Sequence, residues 1–178
     1  MKKGLVSIGF VLLAGCGQQM SEATDATQDS KIEVQVSGLE AAAIDAGVIP
    51  DANRTSLSGA YERRSDLGVD LFCAVGNGEE DYKIGMVAIF GADSRCEARG
   101  TARRDGETLH LSLGKEQNCQ FSAAYDGVQI SVPGQLPEKC ASYCSLRASF
   151  AGVTFSRVGE GDAVAKSLIG KDRKKLCN

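Results

Sequence analysis

Tryptophan is absent from this chain, histidine occurs once, and no apolar run is long enough to span a bilayer as a helix. Each shortage removes a class of function. With His110 as the one imidazole, any serine-type triad must run through it, and no G-x-S-x-G elbow is present to hold a partner nucleophile. His110 alternates with Leu109 and Leu111, which puts it on the polar outer face of a strand. A four-ligand zinc site would need more free thiols or imidazoles than the chain offers. No C-x-x-C pair suits a thiol oxidoreductase. The acidic run Glu79, Glu80 and Asp81 lacks the stepped oxygen ligands of a calcium loop and reads as a solvated hairpin tip. No catalytic residue, metal site or cofactor is therefore expected. The mildly acidic formal charge of −3 gives no electrostatic case for nucleic acid or anionic lipid.

What the sequence does contain begins at its N-terminus. Lys2 and Lys3 precede about ten nearly uninterrupted apolar residues, 5–14, ending in small residues. Roughly twenty would be needed to cross a membrane, so the proportions are those of an export signal. Leu13-Ala14-Gly15-Cys16, directly after that run, resembles the lipobox of bacterial lipoproteins residue for residue. The resemblance implies cleavage before Cys16, a diacylglyceryl group on its sulfur and an acyl chain on its nitrogen. Two or more chains anchor stably where one is marginal. Gly17, rather than an Asp, follows the cysteine, which in that family favours the inner leaflet of the outer membrane, facing the periplasm. Loss of residues 1–15 removes two lysines and no acid, so the formal charge moves from −3 to −5.

Three segments follow: a leader, 1–15; a polar tether, 16–30, starting at the lipidated cysteine; and a single disulfide-stapled domain, 31–178. Within the last, Ile32, Val34 and Val36 alternate as a short strand would, and Ser37-Gly38-Leu39-Glu40 has capping-box spacing for a helix closed by Gly47 and Pro50. From residue 57 the apolar period becomes two. Strands are expected at 57–63, 69–75 and 82–90. Two hairpins follow, turning at Asp105-Gly106 and Asp126-Gly127. A two-residue turn at the first would set Ala102 opposite Leu109 and Gly100 opposite Leu111. At the second, Phe121, Ala123 and Tyr125 would share an inner face with Val128, Ile130 and Val132. An eighth element is expected near 146–157, with a parity swap at Ala151-Gly152. Asp162 would cap a closing helix with a stripe of Val164, Ala165, Leu168 and Ile169. The fold expected is mainly β: a small antiparallel barrel or curved sheet of about seven or eight strands with short terminal helices.

Export also sets the redox state. Cys73, Cys96, Cys119, Cys140, Cys144 and Cys177 are an even six in an oxidising compartment, hence three disulfides, with 15 pairings open. Cys73, Cys96 and Cys119 carry the parity of the apolar face and should point inward. Cys140 and Cys144, four apart on one face, reach separate partners more easily than each other. Cys177 would tie the C-terminus to the body.

One surface feature stands out. Arg95, Arg99 and Arg103 share the outward parity of one strand, a stripe about 27 Å long. Guanidinium groups in that pattern suit an acidic partner, although solubility alone would also account for them.

The layout of lipobox, tether, short strands and disulfides resembles the small periplasmic β-barrel lipoproteins, lysozyme inhibitors and bacterial metalloprotease inhibitors among them. Ser58-Gly59-Ala60-Tyr61 is similar to the opening strand of such barrels. That resemblance implies a binding or inhibitory module facing an envelope protein or cell-wall material. A structural or accessory role in the outer membrane is the rival, and an enzyme is disfavoured. The inhibitors' active-loop motifs are not carried over to any residue here.

Overall fold

The alternation that begins after residue 57 produces eight antiparallel strands in the computed structural model. The model describes residues 38–177 except 53, 79, 80 and 146. They are β1 Gly59–Ser65, β2 Gly68–Val75, β3 Tyr82–Ile89, β4 Arg95–Asp105, β5 Thr108–Leu113, β6 Cys119–Tyr125, β7 Gln129–Ser131 and β8 Thr154–Glu160. Each pairs with the next and β8 pairs back onto β1, so the sheet is a closed up-and-down barrel with no free edge. A helix α1, Gly38–Asp45, precedes the barrel, and α2, Asp162–Ser167, follows it. The leader, Cys16, the tether and the alternation at Ile32, Val34 and Val36 lie outside the described residues.

An eight-stranded barrel is just wide enough for side chains to fill. Tyr61, Phe72, Ile84, Met86, Leu109, Leu111, Tyr125, Ile130 and Phe155 are all fully buried inside it. Tyr61 meets Phe72 edge-on at 5.6 Å between ring centroids, and Phe72 meets Phe155 at 5.7 Å. Small residues make room for these rings: Gly100 pairs with Leu113 and Ala102 with Leu111.

Both barrel ends are shut. At one, the chain before β1 crosses the opening, and two arginines lie over the tyrosines beneath. Arg157 sits 4.8 Å from the Tyr61 ring and Arg104 5.0 Å from the Tyr125 ring. Arg157 donates to the carbonyls of Ser56, Ser58 and Gly127 and to the Tyr125 hydroxyl. Burial, reinforced by neighbouring Tyr125, pushes the Tyr61 hydroxyl far above its ordinary pKa. At the other end, a 3-10 turn, Glu138–Tyr143, is pinned by Cys119–Cys140 and Cys96–Cys144. Buried Asp70 pairs there with Arg63 and accepts the Ile89 N–H.

Several sequence expectations need correction. The first hairpin turns at Gly106-Glu107, not Asp105-Gly106: Asp105 pairs with Thr108 and Arg104 with Leu109. Gly106 has φ 58° and Glu107 is not in the left-handed region, the sign pattern of a turn with glycine first. The second hairpin pairs Tyr125 with Ile130, because the Asp126 carboxylate accepts the N–H groups of Val128 and Gln129 and widens the loop. Each slip is two residues, so inner and outer faces survive, except that Val128 is left exposed. The eighth strand starts at Thr154 rather than near 146, since Ala151-Gly152 is a turn, not a bulge within a strand. Asp162 does not cap α2. It is the helix's first residue, and its carboxylate accepts instead from the Ser58 hydroxyl and the Gly76 N–H. In the α2 stripe only Ala165 is buried, and Val164 and Ile169 are exposed.

The last correction concerns Cys73. It does not point into the barrel. Phe72 and Ala74 take the inner face of β2, and Cys73 lies outside, in a second core with Val75, Val87, Ile89, Ala165, Leu176 and Cys177. Cys73–Cys177 is the third disulfide.

Candidate functional site: a basic face under a C-terminal strap

With the interior filled, chemistry toward a partner has to come from the outside. The outer face of β2, β3 and β4 holds one row of paired residues, Cys73, Gly85 and Arg99. Three consecutive C-terminal residues cross that row. Cys177 bonds to Cys73, Leu176 sits on Gly85, and the Lys175 carbonyl accepts from Arg99 Nε at 3.1 Å. Glycine is required at 85, since a Cβ there would stand 2.6 Å from Leu176 Cγ. Leu176 is fully buried, and its N–H donates to the Leu168 carbonyl at 2.9 Å.

The strap holds a short loop, residues 170–175, against β4. Gly170 N–H donates to the Lys174 carbonyl, and Arg173, at φ 62°, makes the return. Asp172 accepts from the Lys174 N–H at 3.0 Å and from Arg99 Nη2 at 2.9 Å. Those donors, the backbone N–H first, hold its carboxyl below the ordinary range. Glu97 accepts the Lys171 N–H at 2.9 Å, and its other oxygen lies 3.1 Å from Arg99 Nη2. Both acids of the loop's surroundings are thereby spent on backbone and Arg99. Lys171, Arg173, Lys174 and Lys175 are left exposed and pointing to water.

The expected arginine stripe is therefore present in part. Arg95, Arg99 and Arg103 do lie on the outer face of β4, and Arg95 and Arg103 are exposed. Arg99 is not a free charge: it is the keystone between β4 and the loop, with its side chain 38% accessible. Exposed Lys83 on β3, paired with Thr101, extends the positive face beside Arg103. The loop 170–175 is the part the sequence reading passed over. Its signal was the basic run after Gly170, but only the tertiary contacts to Glu97 and Arg99 turn that run into a fixed surface.

His110 is half-buried on β5, with Nδ1 3.1 Å from the Ser122 hydroxyl across the strand pair. No described carboxylate hydrogen-bonds to the ring. Among the described residues no group of three or more His, Cys, Asp or Glu side chains converges as a metal site would, and no helix is long and apolar enough to cross a membrane. The six cysteines among the described residues are all paired, so none of them offers a thiolate. Cys140 and Cys144 do reach separate partners, and Cys177 ties the C-terminus to the body, as the spacing suggested.

No protein-family model, no curated protein and no solved structure matches this chain.

Proposed function

We propose that this chain is a lipid-anchored cell-envelope protein, held by Cys16 at the periplasmic face of the outer membrane, whose barrel is a binding or inhibitory module. The basic face built from Arg95, Arg103, Lys83 and the loop 170–175 is its contact surface. The observation that carries the reading is the filled, doubly closed interior. A barrel packed with tyrosines and phenylalanines, and sealed by arginines at one end and disulfides at the other, offers a small molecule no room. It is a rigid platform whose useful surface is external. Rigidity matters because a surface already fixed by a disulfide and by backbone hydrogen bonds loses little conformational entropy when a partner arrives.

The contact should be electrostatic and salt-sensitive, since exposed charges are screened over a Debye length near 10 Å at about 0.1 M salt. A photo-crosslinking amino acid in place of Arg103, on β4, tests the reading in intact cells. Ser156, exposed on β8 at the opposite side of the barrel, is the control position. Adduct formation at 103 well above that at 156 is the expected result. Equal yields at both positions would remove the basic face as a contact surface.

A further inference from the structure

From the composition and pose of the basic face, we infer that its partner is an anionic phospholipid surface: the loop 170–175 lays the barrel against phosphate headgroups. The inference rests on the reading above that this face is a contact surface, and it names what the face contacts. Four cations, Lys171, Arg173, Lys174 and Lys175, project from six residues; exposed Lys83 lies next to the strap, its carbonyl 3.6 Å from Cys177 Sγ, and exposed Lys166 precedes the loop on α2. Lys166 shares its charge with Asp162 at 3.0 Å, whereas the two acids nearest the loop are already occupied by Arg99 and by backbone N–H groups.

The choice of residue separates a lipid surface from an acidic protein. Protein interfaces favour arginine and aromatic side chains and are depleted in lysine. A shaped carboxylate site would exploit the bidentate guanidinium fork. This face does the reverse. The loop's own free charges are three lysines and one arginine, no aromatic stands among those named, and the guanidinium it packs against, Arg99, is turned inward to hold it. Flexible ammonium groups suit a fluid array of phosphates that has no fixed geometry to match. Ile169, 46% exposed, directly precedes the loop and bridges to Lys175 across it. Apolar side chains among lysines fit the headgroup boundary better than open water.

The protein as a whole is net negative, so this patch is one pole of a charge dipole. Facing it to an anionic leaflet turns the acidic remainder away. A surface lysine or arginine near such a leaflet strengthens partitioning about fivefold, so four cations together reach about six hundredfold.

The test uses full-length protein mixed with two sets of vesicles, phosphatidylcholine alone and phosphatidylcholine with about a third phosphatidylglycerol. A water-soluble amine-acylating reagent then labels exposed lysines, read by mass spectrometry. Lys139, exposed on the 3-10 turn, is the internal reference. Lys171, Lys174 and Lys175 should be protected severalfold relative to Lys139 by the anionic vesicles, not by the neutral ones, and 0.5 M salt should erase the difference. In the variant K171Q/R173Q/K174Q/K175Q, protection of Lys166 and Lys83 by anionic vesicles should vanish. Poly-L-glutamate is the third arm. Protection by that polymer without protection by anionic vesicles overturns the lipid inference and keeps the basic face as a protein contact. Protection by neither overturns both. Flotation with neutral vesicles reports the Cys16 anchor separately.

Discussion

Removing the Cys73–Cys177 bridge should unfasten the strap before it unfolds the barrel. The two cysteines are 104 residues apart, the widest of the three separations. In the chain-entropy model a loop of that size is worth about 4.7 kcal/mol, against about 3.3 for the 21-residue span of Cys119–Cys140. Without the bridge, the strap keeps the burial of Leu176, about 1.5–3 kcal/mol, and a few hydrogen bonds of about 1 kcal/mol each. Ordering residues 168–177 costs about 1–2 kcal/mol per residue, so those contacts alone do not hold it. The barrel does not depend on the strap for closure, because β1 pairs directly with β8. In C73A/C177A, amides of 168–177 should therefore exchange at nearly unfolded rates while those of β4 to β6 remain protected. The thermal midpoint should drop on the order of 10–20 °C. Hydrogen exchange read by mass spectrometry, with a circular dichroism melt alongside, makes the comparison. Strap amides that stay as slow as in the wild type, or barrel amides that lose protection in step with them, would refute the reasoning.

Other perturbations probe the same construction. Gly85→Ala forces a Cβ onto Leu176 and should cost about 1–3 kcal/mol in urea titration, with faster exchange confined to the strap. Arg157→Met removes one of two donors from each of three carbonyls at the barrel mouth, which keep the Tyr125 hydroxyl or the Gly161 N–H; the loss of the guanidinium bonds should cost about 1–3 kcal/mol, and lysine should not restore it. Asp162 and Asp172 are both held below the ordinary carboxyl value of 3.8, so the stability they supply is present above that value and lost as pH falls below it. Amide exchange of the C-terminal segment, corrected for the intrinsic pH dependence of exchange, should thus stay flat from pH 7 to 5 and rise below about 3.8. Asp172→Asn should abolish most of that rise. The oxidised chain should gain six hydrogens on full reduction in an intact-mass measurement, and only three bridges give that number.

The strand content was legible because one face of most strands meets packed side chains and the other meets water, as at 109–113 and 119–125. Hairpin faces followed, but registers did not. Asp126 could either occupy the turn or accept N–H groups from it, and a sequence does not say which carboxylate lone pairs are used. β2 misled for a different reason. Leu71, Phe72, Cys73, Ala74 and Val75 are apolar on both faces, so period two carries no orientation there. Both faces are apolar because both are covered, one by the barrel core and one by the strap and α2. The same invisible cover hid the site. Arg99 reads as a solvent arginine in β4, and nothing in the basic run after Gly170 marks where it lies, until Glu97 and Asp172 bring the two together. Separate partners for Cys140 and Cys144, in contrast, followed from their spacing alone.

Anchoring is the central claim, and the mass of the mature N-terminus tests it most directly. Protein purified from the membrane fraction should yield an N-terminal peptide beginning at Cys16, carrying the added mass of a diacylglyceryl group and an acyl chain. The variant C16A should lose that mass and leave the membrane fraction unless its uncut leader retains it. An unmodified Cys16 inside a longer peptide, or a free thiol at that position in soluble protein, would contradict the account.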